Sequence, residues 1–201
     1  MKDLYLLIIA CVLLPQAASS QTAGKGENIP TVQSALGGSY YVRSIPSEDF
    51  GSKGKTQVLR VRNSGDELLD EYPVYMRGEL YLGWSPILGK WCLVHLEPAR
   101  VSSDIDFDNM GKVTRLAFYV GGKEIFSYSS EDLQKLGLER KVAHLTNNLT
   151  GSFTVHGIDQ IPLTNHYVFA MERTVGNQTN TEKVLLDITT GKVLADDSRK
   201  K

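Results

Sequence analysis

Val113-Thr114-Arg115-Leu116-Ala117-Phe118-Tyr119-Val120-Gly121-Gly122-Lys123-Glu124-Ile125-Phe126-Ser127-Tyr128 is the stretch that decides the fold class. Side chains along a strand alternate between its two faces, so Leu116, Phe118 and Val120 share one face while Ala117 and Tyr119 take the other. Both faces are apolar, which predicts a central strand covered on each side. Gly121 and Gly122 supply the positive φ of a tight hairpin, and residues 123–128 return as a second strand. The Gly-Lys pair recurs at Gly54, Gly89, Gly111, Gly122 and Gly191, each time just ahead of an apolar run. A chain punctuated in this way reads as a succession of hairpins.

Working outward, further strands are expected at residues 40–45, 56–62, 68–76, 80–84, 91–96, 153–156, 167–174, 183–188 and 192–194. In the second of these Val58, Arg60 and Arg62 alternate with Gln57, Leu59 and Val61, a pattern that suits a half-exposed strand. Pro73 lacks a backbone N–H and places its run at a sheet edge or a bulge. One short helix is predicted near 130–136, capped by Ser129 or Ser130, with Glu131 and Asp132 in its first turn, Leu133 and Leu136 on one face, and Gly137 to end it. The fold class is therefore all-β, a mainly antiparallel sandwich or a strongly bent barrel, with one short helix.

Residues 1–20 read as a signal peptide: Lys2, an apolar run over residues 4–14, Pro15, then the small residues Ala17, Ala18, Ser19 and Ser20. The run is shorter than the roughly 20 residues that span a bilayer, so no transmembrane helix is expected and the product is read as secreted or periplasmic. Ile8-Ile9-Ala10-Cys11 also supports a second reading, with Cys11 as a lipidation site. Residues 21–39 read as a flexible lead-in, 40–195 as a single β-rich domain, and 196–201 as a polar tail. Cleavage before Gln21 removes Cys11 and leaves Cys92 alone, so the domain is expected to hold together by packing, without an intrachain disulfide.

Of the 201 residues, 41% are hydrophobic and 22% charged, with a net charge of −1, which excludes a collagen, a coiled coil or a polyelectrolyte. Without a basic excess there is no whole-chain electrostatic case for nucleic acid. Residues 51–56 resemble a phosphate-binding loop only in part, because Asp49 stands where its first glycine belongs and a strand follows where a helix is needed. Asp104, Asp106 and Asp108 lie at alternate positions with Asn109 and Gly111 behind them, a density of hard oxygen ligands that makes calcium the one candidate cofactor. His95, His144, His156 and His166 have no metal-binding spacing. Asn148-Leu149-Thr150 and Asn177-Gln178-Thr179 are glycan-acceptor patterns.

Tyr72, Tyr75, Tyr81, Trp84 and Trp91 crowd a loop-bearing stretch that also holds Gly83, Pro86 and Gly89, and they are the candidate ligand-binding residues. The expected function is an exported, non-enzymatic binding or envelope-associated module whose partner is a protein, a glycan or a small apolar ligand. Two alternatives stand beside it. One is a small barrel carrying an apolar ligand inside it. The other is a secreted hydrolase built from dispersed carboxylates such as Glu48, Asp49, Glu97 and Glu172.

Overall fold

Hairpin after hairpin, the described residues fold into three antiparallel four-stranded sheets, each a run of consecutive strands. The structure is a computed structural model that describes residues 28–49, 51–97, 114–138, 153–161, 164–175 and 180–196. The first sheet holds β1 (Thr31–Ala35), β2 (Tyr40–Pro46), β3 (Gly54–Arg60) and β4 (Glu67–Tyr72) in that order. The second holds β5 (Glu79–Ser85), β6 (Lys90–Leu96), β7 (Thr114–Val120) and β8 (Lys123–Ser129). A helix, α1 (Ser130–Lys135), follows, and the third sheet holds β9 (Phe153–Gln160), β10 (Tyr167–Val175), β11 (Asn180–Asp187) and β12 (Val193–Asp196). Among the described residues each sheet ends on open edge strands, so the bent-barrel alternative gives way to stacked sheets. The closed strand set that an apolar-ligand carrier barrel requires is likewise not formed by these residues.

The second sheet is the centre of the stack. On one of its faces Cys92, Val94, Leu96, Leu116 and Phe118 pack with Phe169, Met171, Val184, Leu186 and Ile188 of the third sheet and its following turn. On the other, Leu80, Leu82, Leu93, Ala117 and Tyr119 pack with Val42, Val58, Tyr72 and Met76 from the first sheet and the segment after it. The alternation along β7 is thus used twice, once for each core. Strands buried on both faces read as near-continuous apolar runs, which is the pattern of residues 116–120.

The turn glycines do what their positions require. Gly54, Gly89, Gly122 and Gly191 all have positive φ. At Gly191 a Cβ would also stand 2.4 Å from Cβ of Phe126, so both backbone conformation and space demand glycine there. The helix forms as its signals direct: the Ser129 hydroxyl accepts from the Asp132 N–H at 3.2 Å, and the Asp132 carboxylate accepts from the Ser129 N–H at 3.1 Å. This is a reciprocal capping box. At the other end Leu138 N–H donates to Leu133 O and Gly137 N–H to Gln134 O, and Leu133 and Leu138 are both buried against the core.

Three expectations need correction. Part of the lead-in is ordered: β1 pairs with β2 from Thr31↔Ser44 to Ala35↔Tyr40, so the described fold starts before Tyr40. Gln33 reinforces the start, donating its amide to Gly78 O and accepting the Leu80 N–H at 3.0 Å, in the manner of a backbone partner for β5. Second, β3 is not half-exposed. Thr56, Gln57, Val58 and Leu59 are all buried, because Gln57 lies under its cross-strand neighbours, accepting from Arg43 Nη2 at 2.7 Å and donating to Glu71 Oε2 at 2.6 Å. Third, the run expected at residues 68–76 stops at Tyr72. The chain after Pro73 is tied back instead through Thr56, whose hydroxyl donates to Val74 O at 2.8 Å, and through Ser44, whose hydroxyl accepts the Met76 N–H at 2.8 Å. Pro73 itself follows an edge strand whose pairing with β3 carries a register shift at Val58/Leu59.

Candidate functional site

The five candidate aromatic residues fall in three places. Tyr72 and Tyr75 are core side chains, 0% and 3% exposed, with hydroxyls held by Asp70 Oδ2 and Ile29 O. Burial pushes both phenols up from their ordinary pKa. Tyr81 points to the opposite face of the central sheet, edge-on to Phe169 at 5.0 Å, with its hydroxyl donating to Glu79. Only Trp84 and Trp91 come together. They are cross-strand partners in β5 and β6, their rings T-shaped with centroids 5.1 Å apart, and Trp84 is 40% exposed.

The third member of that cluster escaped the sequence reading. Tyr40, the first residue of β2, puts its ring 4.7 Å from Trp91, so three rings run from the first sheet across to the outer edge strand β5 of the second. Arg60 is the register partner of Tyr40 on β3, and its guanidinium carbon lies 5.8 Å above the Tyr40 ring, within cation–π range. Tyr40 and Arg60 stand at opposite ends of a hairpin in sequence, and Tyr40 and Trp91 are separated by the strands β3, β4 and β5. Nothing in local sequence spacing joins them.

Around the rings the chain leaves apolar side chains uncovered. The hairpin between Trp84 and Trp91 is held by the Gly89 N–H donating to Ser85 O at 2.8 Å and the Leu88 N–H to Ser85 Oγ at 3.2 Å, yet its tip carries Ile87 and Leu88, both exposed. Hairpin tips ordinarily carry polar or turn-forming residues, so two aliphatic side chains there are out of pattern. Leu36 and Val61 are exposed at the same end, and the Val61 N–H donates to Ser39 O at 3.0 Å, next to Tyr40.

Beside Tyr40 lies an open groove of about 470 Å³, lined by Gly37, Gly38, Ser39, Tyr40, Arg60 and Arg62 among others. Its rim is a backbone turn with three successive positive φ values: 49° at Leu36, 70° at Gly37 and 83° at Gly38. Leu36 is the one non-glycine residue in this conformation among the described residues, at a cost of about 1–2 kcal/mol. A Cβ on Gly37 or Gly38 would meet nothing within 4 Å, so the backbone there faces open space.

The other candidate chemistries find less. Asp104, Asp106 and Asp108, both glycan-acceptor patterns, His144 and the leader with Cys11 lie outside the described residues. Among the described residues no group of three or more His, Cys, Asp and Glu side chains could hold a metal ion. The phosphate-loop resemblance resolves into a hairpin turn in which Lys53 pairs with Glu48 at 3.2 Å and Thr56 is buried. Three of the scattered acids are held by bases or donors. The Lys53 N–H holds the Glu48 carboxyl below its usual range, the Thr181 hydroxyl and then His156 do the same for Glu172, and Glu97 lies 3.1 Å from His95 Nε2. The Cys92 thiol is fully buried, and desolvation pushes its pKa up to about 12, opposite to what a nucleophilic thiolate needs.

No family model, curated protein or solved structure matches this chain.

Proposed function

We propose that the protein is an exported, non-enzymatic binding module whose partner docks on the aromatic end of the sheet stack. One observation carries this reading: Tyr40, Trp91 and Trp84 form a continuous ring cluster that is not closed over by the fold, next to exposed Ile87 and Leu88. Aromatic side chains offer large contact area with few rotors to freeze, and they dominate binding energetics where they have been tested by truncation. The cluster is also preorganised, since β5 and β6 belong to a sheet packed on both faces, and a rigid surface loses less freedom when a partner is bound. Export is the reading of the leader at residues 1–20. The pairing of Glu48, Glu97 and Glu172 with bases supports a binding role over hydrolysis, which wants a raised carboxyl to act as acid.

Trp84 and Trp91 are the only two tryptophans of the chain, so its indole emission reports this surface alone. A panel of soluble oligosaccharides and lipid vesicles is titrated against the protein with indole emission as the readout and co-sedimentation as the check. At least one class is expected to shift the emission saturably, with Trp84→Ala and Ile87→Ser each weakening retention by tenfold or more while the thermal midpoint holds. Retention that survives both substitutions, or a panel in which nothing is retained, would overturn the docking reading. For export, N-terminal sequencing of the protein from its native host is expected to start near Gln21, and an intact Met1 would overturn that part.

A further inference from the structure

From the groove beside Tyr40 we infer that the docked ligand is an acidic carbohydrate, whose carboxylate or sulfate group is taken by Arg60 and Arg62 while its ring rests on the aromatic cluster. This deepens the docking reading and rests on it. Arg60 lies over Tyr40, and although Glu67 is its register partner on β4, that carboxylate pairs with Arg62 and not with Arg60. Its planar fork of donors is therefore open to the bidentate contact that a carboxylate or sulfate makes best. Arg62 does have a partner, Glu67, whose Oε2 accepts from Nη2 at 2.8 Å and from Nε at 2.9 Å, but both side chains are about half exposed. Exposed pairs contribute only about 0–1 kcal/mol, little enough for a bound ligand anion to offset.

The rest of the groove fits a sugar acid in particular. The glycines at 37 and 38 leave backbone facing open space, so a ligand can approach the main chain closely. Next to the two guanidinium groups the ring cluster continues in steps of 4.7 Å and 5.1 Å, from Tyr40 through Trp91 to Trp84. A pyranose ring has an apolar C–H face suited to such rings and, in a uronate or sulfated sugar, an anionic group at its edge. An anionic bilayer fits less well. It favours a surface of one sign, whereas Asp66, in the turn between β3 and β4, accepts from the Tyr41 hydroxyl, and Glu67, the first residue of β4, pairs with Arg62. Those acids would repel a continuous negative surface but leave room for one discrete anion.

The test titrates four probes against the full chain: tetragalacturonate, a heparin tetrasaccharide, neutral maltotetraose, and phosphatidylcholine vesicles containing phosphatidylserine. Either acidic tetrasaccharide is expected to shift indole emission saturably while maltotetraose does not. Arg60→Gln should weaken that binding at least tenfold, and Arg60→Lys should fall between, because the charge is kept and the fork is lost. Lys183→Gln, on an exposed position of β11 in the third sheet, should leave it unchanged. Binding that ignores Arg60→Gln, or maltotetraose bound equally well, overturns the acidic-group assignment and leaves docking on the aromatic end standing. Equal losses in Arg60→Gln and Lys183→Gln overturn it as unspecific attraction. A response to the vesicles alone overturns it in favour of a membrane surface, and silence toward both acidic tetrasaccharides overturns it outright.

Discussion

Leu93 and Val94 are neighbours on β6, both 0% exposed, and their side chains enter different cores: Leu93 faces the first sheet and Val94 the third. Truncating each to alanine therefore measures the two interfaces of the central sheet separately. Leu93→Ala removes three buried carbons, about 2.4 kcal/mol of transfer free energy at ~0.8 kcal/mol each, and the unfilled space brings the expected loss to about 3–4 kcal/mol. Val94→Ala removes two, about 1.6 kcal/mol, and about 2–3 kcal/mol with its cavity. For a chain of this size each kcal/mol moves the thermal midpoint by about 2–4 °C, so the shifts are about 6–16 °C and 4–12 °C downward. Urea melts followed by far-ultraviolet circular dichroism and by indole emission give the same comparison, with an unchanged slope and a lower midpoint for both variants. If either substitution cost less than about 0.5 kcal/mol, as a surface change does, that face of the central sheet would not be buried and the stack would have two layers instead of three.

Other consequences follow from single contacts. The Ser129 hydroxyl and backbone N–H hold the Asp132 carboxyl below its usual range, so the helix cap is strongest above the unfolded carboxyl value of about 4 and is lost as pH falls through the lower folded value. The thermal-midpoint gap between wild type and Asp132→Asn should accordingly be small at pH 7 and close in acid as that carboxyl is protonated, and a gap that widens in acid would contradict the cap. Cys92 should resist a thiol-specific disulfide reagent at pH 8 in the folded protein and react fully in denaturant, whereas rapid labelling of the native chain would place it at a surface. Gly191→Ala should destabilise by more than about 2 kcal/mol, since its Cβ would collide with Phe126 as well as strain φ, while Gly89→Ala, with open space around it, should cost only the roughly 1 kcal/mol of the backbone strain. Equal melts for the two variants would refute the collision.

What could be read from sequence was what local chemistry determines. The β7–β8 hairpin was legible because both its alternation and its Gly-Gly turn lie within sixteen residues, and α1 because every capping group sits within one turn of the position it caps. β3 was misread for a physical reason: alternation sets Gln57, Leu59 and Val61 against Val58, Arg60 and Arg62 and so leaves one face to solvent, whereas Val58 enters the core and the two strands beside Gln57 bring Arg43 and Glu71 over its amide, so that both faces are covered. β1 was missed because Val32 is the one apolar side chain larger than alanine in residues 31–35, and its order comes from pairing with β2 and from Gln33 bonding across to β5. At the candidate site the same division holds. Trp84 and Trp91 are a local cross-strand pair, visible as a cluster, whereas Tyr40 and Arg60 reach them only through sheet register and the packing of one sheet on another. Tyr72 and Tyr75 could not be separated from the tryptophans by composition, since an aromatic side chain looks the same in sequence whether it faces a core or a groove.

The most direct test of the docking surface is amide hydrogen exchange of the full chain with and without saturating acidic tetrasaccharide. Added protection is predicted for residues 36–40, 60–62 and 84–91, with the third sheet unchanged. Protection centred on β9 to β12, or spread evenly over all three sheets, would contradict the placement of the partner on the aromatic end.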